Sequence, residues 1–373
     1  MSLSRGMKAL NLEPTDKVPR LEHSAHMHWE LVRTVTGLPV ETKEERIKAS
    51  SKFIQEWDYD MFWYAYFIRD TISGKSISNF PAQGGGNAFF RKNPHARITS
   101  MGHAVYSDDA EGKTDFNNKV YCPFKDIDDA LNLDPVEEYG EFDKNELTFE
   151  AENVFRELKE FMPDLIVPGG VYISLFSGLI EIFGWEMLLM LIAQGKCFER
   201  VIEKYYLWVK QFFDAYAAAD IEVIISHDDL VWSSGPPANP EWFRKYLFPR
   251  LKKLWEPLHN AGKKIIFTCD GDMTEFLKDN LDHGAHMIVS EPMSNFRHLS
   301  EKYGDRIAFA GSMDTRILLS GNKDEIFNEV EKQLSLFKKY PGFFMSVGNC
   351  IPANTPISSA LWYNEAYCKL AKR

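Results

Sequence analysis

From residue 221 onward the chain repeats one unit: four to six β-branched or apolar residues, a polar or glycine-containing turn, then a helical stretch. Such units pair their strands in parallel, because a helical crossover separates each strand from the next. The clearest strands are 221–226, 264–268, 286–290, 306–310 and 343–347, preceded by 165–167 or 172–175; the helices between them include 239–260, 273–282 and 323–339. A cluster of chemically capable side chains follows each strand: Ser226, His227, Asp228 and Asp229; Cys269, Asp270, Gly271 and Asp272; Glu291 and Pro292; Ser312, Met313 and Asp314; Asn349 and Cys350. A doubly wound sheet collects its ligands at one switch point, whereas a barrel opens every such loop on one face. The expectation is therefore a single α/β domain over residues 1–373, a (β/α)8 TIM barrel with an N-terminal elaboration.

The first 160 residues are less regular. Residues 47–57 read as a helix leading into the aromatic run 61–67, and Gly84, Gly85 and Gly86 mark a sharp turn. A stretch of about 85–145 reads as an insertion or lid over the barrel mouth, and 151–161 as a helix re-entering the barrel. The 165–193 stretch is apolar, but Pro168, Gly169 and Gly170 interrupt it and Glu181 and Glu186 charge it, which argues against a membrane span.

Composition narrows the function. With 43 Lys and Arg against 54 Asp and Glu the net charge is -11, which repels a nucleic-acid backbone. Five scattered cysteines and a start without a basic and apolar leader pattern fit a cytoplasmic protein without a disulfide framework.

Cys269, Glu291 and Cys350 are a candidate zinc set, since thiolates and a carboxylate at three strand ends can converge on one ion. The alternative is that the cysteines are small semi-buried residues. His227, Asp228 and Asp229 could supply a base, a metal ligand or substrate hydrogen bonds, or one acid could cap a helix while the other pairs with an arginine. In the histidine segment the two-residue step aims His26 and His28 toward one side, read as the pocket, and His23 toward the other. The aromatic run is core in one reading; in the other Tyr64 and Tyr66 reach the mouth and suit an apolar substrate.

In their order along the chain, several short motifs resemble the uroporphyrinogen decarboxylase superfamily: Asp16-Lys17-Val18-Pro19, Asp228-Asp229, Asn239-Pro240-Glu241-Trp242-Phe243 with Pro249, Cys269-Asp270-Gly271-Asp272, Glu291-Pro292, Tyr303-Gly304-Asp305 with Gly311 and Asp314, and Ile351-Pro352 with Thr355-Pro356. The resemblance implies a (β/α)8 barrel, and it implies either decarboxylation or cobamide-dependent methyl transfer. Against the true decarboxylases, the Arg-bearing N-terminal motif is replaced by residues 24–29, the Asp after the second strand falls near Tyr66, and the C-terminal His falls at Asn349. The zinc methyltransferases place a His-x-Cys pair, a Glu about twenty residues on in some members, and a Cys about eighty residues on. Here Phe267 stands at the His, Glu291 lies 22 residues after Cys269, and Cys350 lies 81 after it, with Asn349 aligned to the final Cys. The segment Glu22-His23-Ser24-Ala25 with His28-Trp29-Glu30-Leu31-Val32 resembles the first methyltransferases of corrinoid O-demethylase systems.

The reading that follows is a methyltransferase taking a methyl group from a small donor, such as a methoxylated aromatic, to a cobamide carried by a separate corrinoid protein. Zinc would be held by Cys269, Glu291 and Cys350, with His227 or Asp229 as substitutes. Asp229, Asp270 and His227 are the catalytic candidates; His26, His28, Tyr64, Tyr66, Asp314 and Asn349 are the substrate-binding ones. The alternatives are a decarboxylase gripping carboxylates through Arg20, Arg69 or Arg316, and a non-catalytic binding barrel. Neither nucleic acid nor membrane is expected as a partner; a homodimer is.

Overall fold

A computed structural model of the protein describes residues 1–63, 124–139, 141–171, 174–351 and 354–373. Five strands form one parallel sheet in chain order: β3 (Gly169–Val171), β4 (Val223–His227), β5 (Lys264–Cys269), β6 (Met287–Ser290) and β7 (Ala308–Ala310). Two more, β1 (Leu21–Glu22) and β2 (Met61–Phe62), pair in parallel with each other. Parallel bridges close the ring. Met61 meets Ile166 just ahead of β3, Phe309 meets Phe343, and Met345 of the segment 343–347 (β8) meets Arg20 beside β1. The result is an eight-stranded parallel barrel, the TIM architecture.

Alternation along the strands sorts the core into two layers. Leu21, Met61, Ile166, Ile225, Ile266, Val289, Ala310 and Phe344 give every strand a residue in the inner cluster. The N-terminal helix Leu3–Leu10 adds Ala9 and Leu10 to that cluster. A Cβ on Gly6 would come within 2.6 Å of the Asp60 carbonyl, so this helix seats against the start of β2. Residues of opposite parity, such as Ile224, Ile265, Phe267 and Phe309, pack outward in a much larger layer against the helices.

The predicted helices form with shifted ends. The 47–57 helix begins earlier, at Lys43, because Thr42 and Glu45 make a reciprocal capping box. The 239–260 helix is one rod with a π-helical turn at Phe243–Leu247, entered through the Asn239 cap and Pro240. The third strand falls at 169–171, between the two expected runs 165–167 and 172–175, with Ile166 bridging to Met61 just ahead of it. Of the expected lid, residues up to 123 lie outside the described residues. The remainder packs on the outer helices: Phe124 lies 5.0 Å from Phe183, and Phe142 lies 5.7 Å from Phe212. No helix among the described residues is long and apolar enough to cross a membrane.

Candidate active site at the barrel mouth

Strand parity decides which side chains reach the mouth. Inner residues Leu21, Met61, Ile225, Ile266, Val289 and Ala310 project the period two residues onward to His23, Trp63, His227, Thr268 with Asp270, Glu291 and Ser312. Observed contacts join several of them. Trp63 donates to Thr268 at 3.2 Å and lies 6.2 Å from the His227 ring and 5.1 Å from the His23 ring.

The polar centre is a chain of acids. His227 Nε2 lies 3.3 Å from Asp229 Oδ1, which also accepts the Asp270 backbone N–H at 2.9 Å. Asn349 Nδ2 donates to both Asp270, at 3.2 Å, and Glu291, at 3.0 Å. The Gly271 N–H donates to the other Glu291 oxygen at 2.7 Å. Gly271 has φ of +87°, and a Cβ there would come within 2.5 Å of the Trp232 carbonyl, so the turn that aims this N–H requires glycine. Burial, then the neighbouring Asp229 and Glu291 charges, push the Asp270 carboxyl well above the ordinary carboxylate range. Ligand atoms of His227, Asp229 and Asp270 all lie within 4.8 Å of one another, which makes these three the residues able to share a metal ion among those described.

The predicted residues divide. His227, Asp229, Asp270, Glu291 and Asn349 come together. Cys269 shares the outward parity of Phe267 and is fully buried in the outer layer; its Sγ accepts from Leu230 N–H at 3.2 Å and donates to the Asp270 carbonyl. Burial first, and then the Asp229 charge, push its thiol well above the usual range. Cys350 follows the site residue Asn349, whose Oδ1 accepts its backbone N–H. The three-residue set Cys269, Glu291 and Cys350 is thus replaced, as a cluster of converging ligand atoms, by His227, Asp229 and Asp270.

Asp228 caps a helix, one of the two alternatives open for it. Its carboxylate accepts from Leu175, Phe176 and Ser177 N–H at the start of helix Phe176–Ile192. Asp314 grips Arg316 bidentately, so that side chain is committed to the rim. Arg316 thereby loses its readiness as a carboxylate clamp, and Arg20 lies in the barrel wall with its side chain fully buried. Arg69, Tyr64 and Tyr66 lie outside the described residues.

The histidine assignment is reversed. His26 is fully buried between Phe62, at 5.1 Å, and Tyr59, and burial lowers its pKa to about 3. His28 Nδ1 caps helix Trp29–Thr36 by accepting from Leu31 N–H. The residues 25–27 form a 3-10 turn, so strand alternation ends before them. His23, still in register with Leu21, is the one that faces the mouth. Trp63, inside the aromatic run, and Ser312, in the cluster after β7, share this inward parity.

Residues 97–368 match the uroporphyrinogen decarboxylase (URO-D) family, and the chain belongs to it. It is 24% identical over 182 residues to uroporphyrinogen decarboxylases of three Coxiella burnetii strains, a match covering 48% of this chain and 48% of theirs. The chain thus spans about half the length of the curated relatives it matches. Among solved structures it is similar to a methyltransferase from Methanosarcina mazei, with a TM-score of 0.62 and 17% identity over 99% of both chains, a likeness of fold.

Proposed function

We propose that the protein is a methyltransferase that binds a small methylated donor in the barrel mouth and passes its methyl group to a cobamide carried by a separate corrinoid protein. The observation that carries this reading is the sign of the charge that the described residues bring to the mouth. Asp229, Asp270 and Glu291 converge there, while Arg20 is sealed in the wall and Arg316 is held by Asp314. A porphyrinogen bearing many carboxylates would meet like charge at this centre. Methyl transfer asks instead for positive charge beside the leaving atom, and the acid cluster is suited to hold it.

Asp270 is placed to hold a proton for the leaving oxygen, so that the carbon–oxygen bond breaks toward a neutral alcohol. Asn349 fixes the orientation of Asp270 and Glu291 together, and the Gly271 N–H anchors Glu291. The cobamide supplies the nucleophile that accepts the methyl group. One imidazole and two carboxylates also suit a borderline divalent ion such as zinc, which would take the place of the proton and act as a Lewis acid at the same leaving atom. His227, Asp229 and Asp270 would hold it; Cys269 is turned away.

The test is methylcobalamin formation, followed by absorbance, when the purified protein meets chemically reduced cobalamin and a panel of methyl ethers. Asp270→Asn should lower the rate by about a hundredfold or more. Elemental analysis of wild type and Asp229→Asn separates the two routes: metal lost with the substitution supports the ion, and metal-free active protein supports the proton. No methyl transfer, with carbon dioxide released from a carboxylated substrate, would revive the decarboxylase alternative.

A further inference from the structure

We infer that His23 is a substrate-binding residue that donates a hydrogen bond to a second oxygen of the methyl donor, beside the oxygen carrying the methyl group. The inference rests on the methyl-transfer reading and narrows its substrate class to oxygen-rich methylated compounds with an apolar body.

Three observations lead to it. His23 directly follows β1 and keeps the inward parity of Leu21, so its ring stands at the mouth. Its ring packs against Trp63, 5.1 Å away, and Trp63 in turn touches His227 and donates to Thr268, placing all three on one wall. His23 is only 8% exposed, and its Nε2 is buried without a hydrogen-bond partner among the described residues. A buried polar nitrogen left unmatched costs free energy, and sites built for a polar ligand group are where such atoms persist.

The chemistry of the adjoining acid cluster chooses the partner. Asp229, Asp270 and Glu291 are acceptors, and the Asn349 amide and Trp63 indole N–H are already engaged. A donor molecule bringing a further acceptor oxygen therefore needs a protein N–H, and His23 provides one beside an aromatic face. Burial favours the neutral imidazole, which carries one N–H that it can donate. A neutral ring discriminates by hydrogen bonding, and leaving such a bond unmade distinguishes substrates strongly.

The experiment is calorimetric titration of two probes, 1,2-dimethoxybenzene and methoxybenzene, into wild type, His23→Phe and His23→Gln. The expected result is that His23→Phe weakens 1,2-dimethoxybenzene about tenfold while changing methoxybenzene less than twofold, and that His23→Gln, which retains an N–H donor, restores most of the loss. Equal weakening of both probes would mark His23 as a packing residue and overturn the assignment, as would an unchanged 1,2-dimethoxybenzene affinity in a variant with a wild-type melting profile. Failure of wild type to bind either probe, or to prefer the two-oxygen probe, also overturns it. Binding needs neither corrinoid nor turnover. Discrimination without methyl transfer would sink the function and keep the site; methyl transfer with no effect of His23→Phe would do the reverse.

Discussion

Two buried charged clusters lie on different strands of the same barrel, and they are built on opposite rules. Around β1 and β2 every charge meets its complement. Arg20 pairs with Glu22 at 3.2 Å and stacks among Trp57, Tyr363 and Tyr367, with ring centroids 4.4 to 5.0 Å away. Glu22 accepts from the Tyr363 hydroxyl and from Val347 N–H, and Asp60 accepts from Arg5 and from the Arg20 backbone. At the mouth, Asp229, Asp270 and Glu291 crowd one another with an amide between them. The first cluster ties the N-terminal strand to the C-terminal helix Ile357–Leu370. The second packs three acids together in a partly buried space and pushes Asp270 toward its protonated form, an arrangement that adds little to stability and favours whatever positive group binds.

The largest test of this contrast is Arg20→Met. It strands the buried Glu22 carboxylate and should cost about 3–5 kcal/mol, read by urea unfolding. Adding Glu22→Gln should return more than half of that loss, because the damage lies in the uncompensated charge. If the double variant is no more stable than the single one, the cage acts by packing alone and the contrast with the mouth weakens.

Asp228→Ala comes next. It removes the acceptor for three N–H groups at the start of helix Phe176–Ile192 and should cost about 2 kcal/mol by the same measurement. Its neighbour behaves differently. Asp229→Asn should leave stability unchanged or raise it by up to about 1 kcal/mol, since it relieves like-charge crowding, while methyl transfer collapses. Two adjacent aspartates with opposite stability responses would place the boundary between scaffold and site between residues 228 and 229.

That boundary shows where sequence reading succeeds and where it stops. Strand and helix periodicity made β4 to β8 legible, because each is an unbroken run such as Val223-Ile224-Ile225 or Ile265-Ile266-Phe267. β1 and β2 are two residues long, too short for any periodic signal, and only bridges through Arg20 and Met61 reveal them. The clusters after the strands contain His227, Asp229, Asp270, Glu291 and Asn349, which the fold brings together. Which of two adjacent residues faces inward depends on strand register, and no register can be read until the inner core is known. Spacing therefore groups Cys269 with Glu291, whereas the register turns its neighbour Asp270 to the mouth. Strand alternation aims His26 and His28 inward, but the 3-10 turn at 25–27 ends the alternation and leaves His23 in register.

The smallest effect concerns the pH response of the compensated region. Burial works against ionisation of Asp58, but hydrogen bonds from Lys17 and the amino terminus outweigh it and hold its pKa at about 2. The folded pKa lies below the unfolded value near 3.8, so the folded state binds a proton less readily than the unfolded chain. The stability that this carboxylate contributes is then present above about pH 4 and is lost as pH falls through about 2. Because Asp58 is partly exposed, solvent screens the interaction and the gain is modest. Asp58→Asn should flatten the acid limb of the stability curve between pH 4 and 2 and lower the plateau above it slightly. An unaltered acid limb would mean that Lys17 and the amino terminus do not hold the charge in solution, and that compensation around β1 and β2 ends at the buried Asp60.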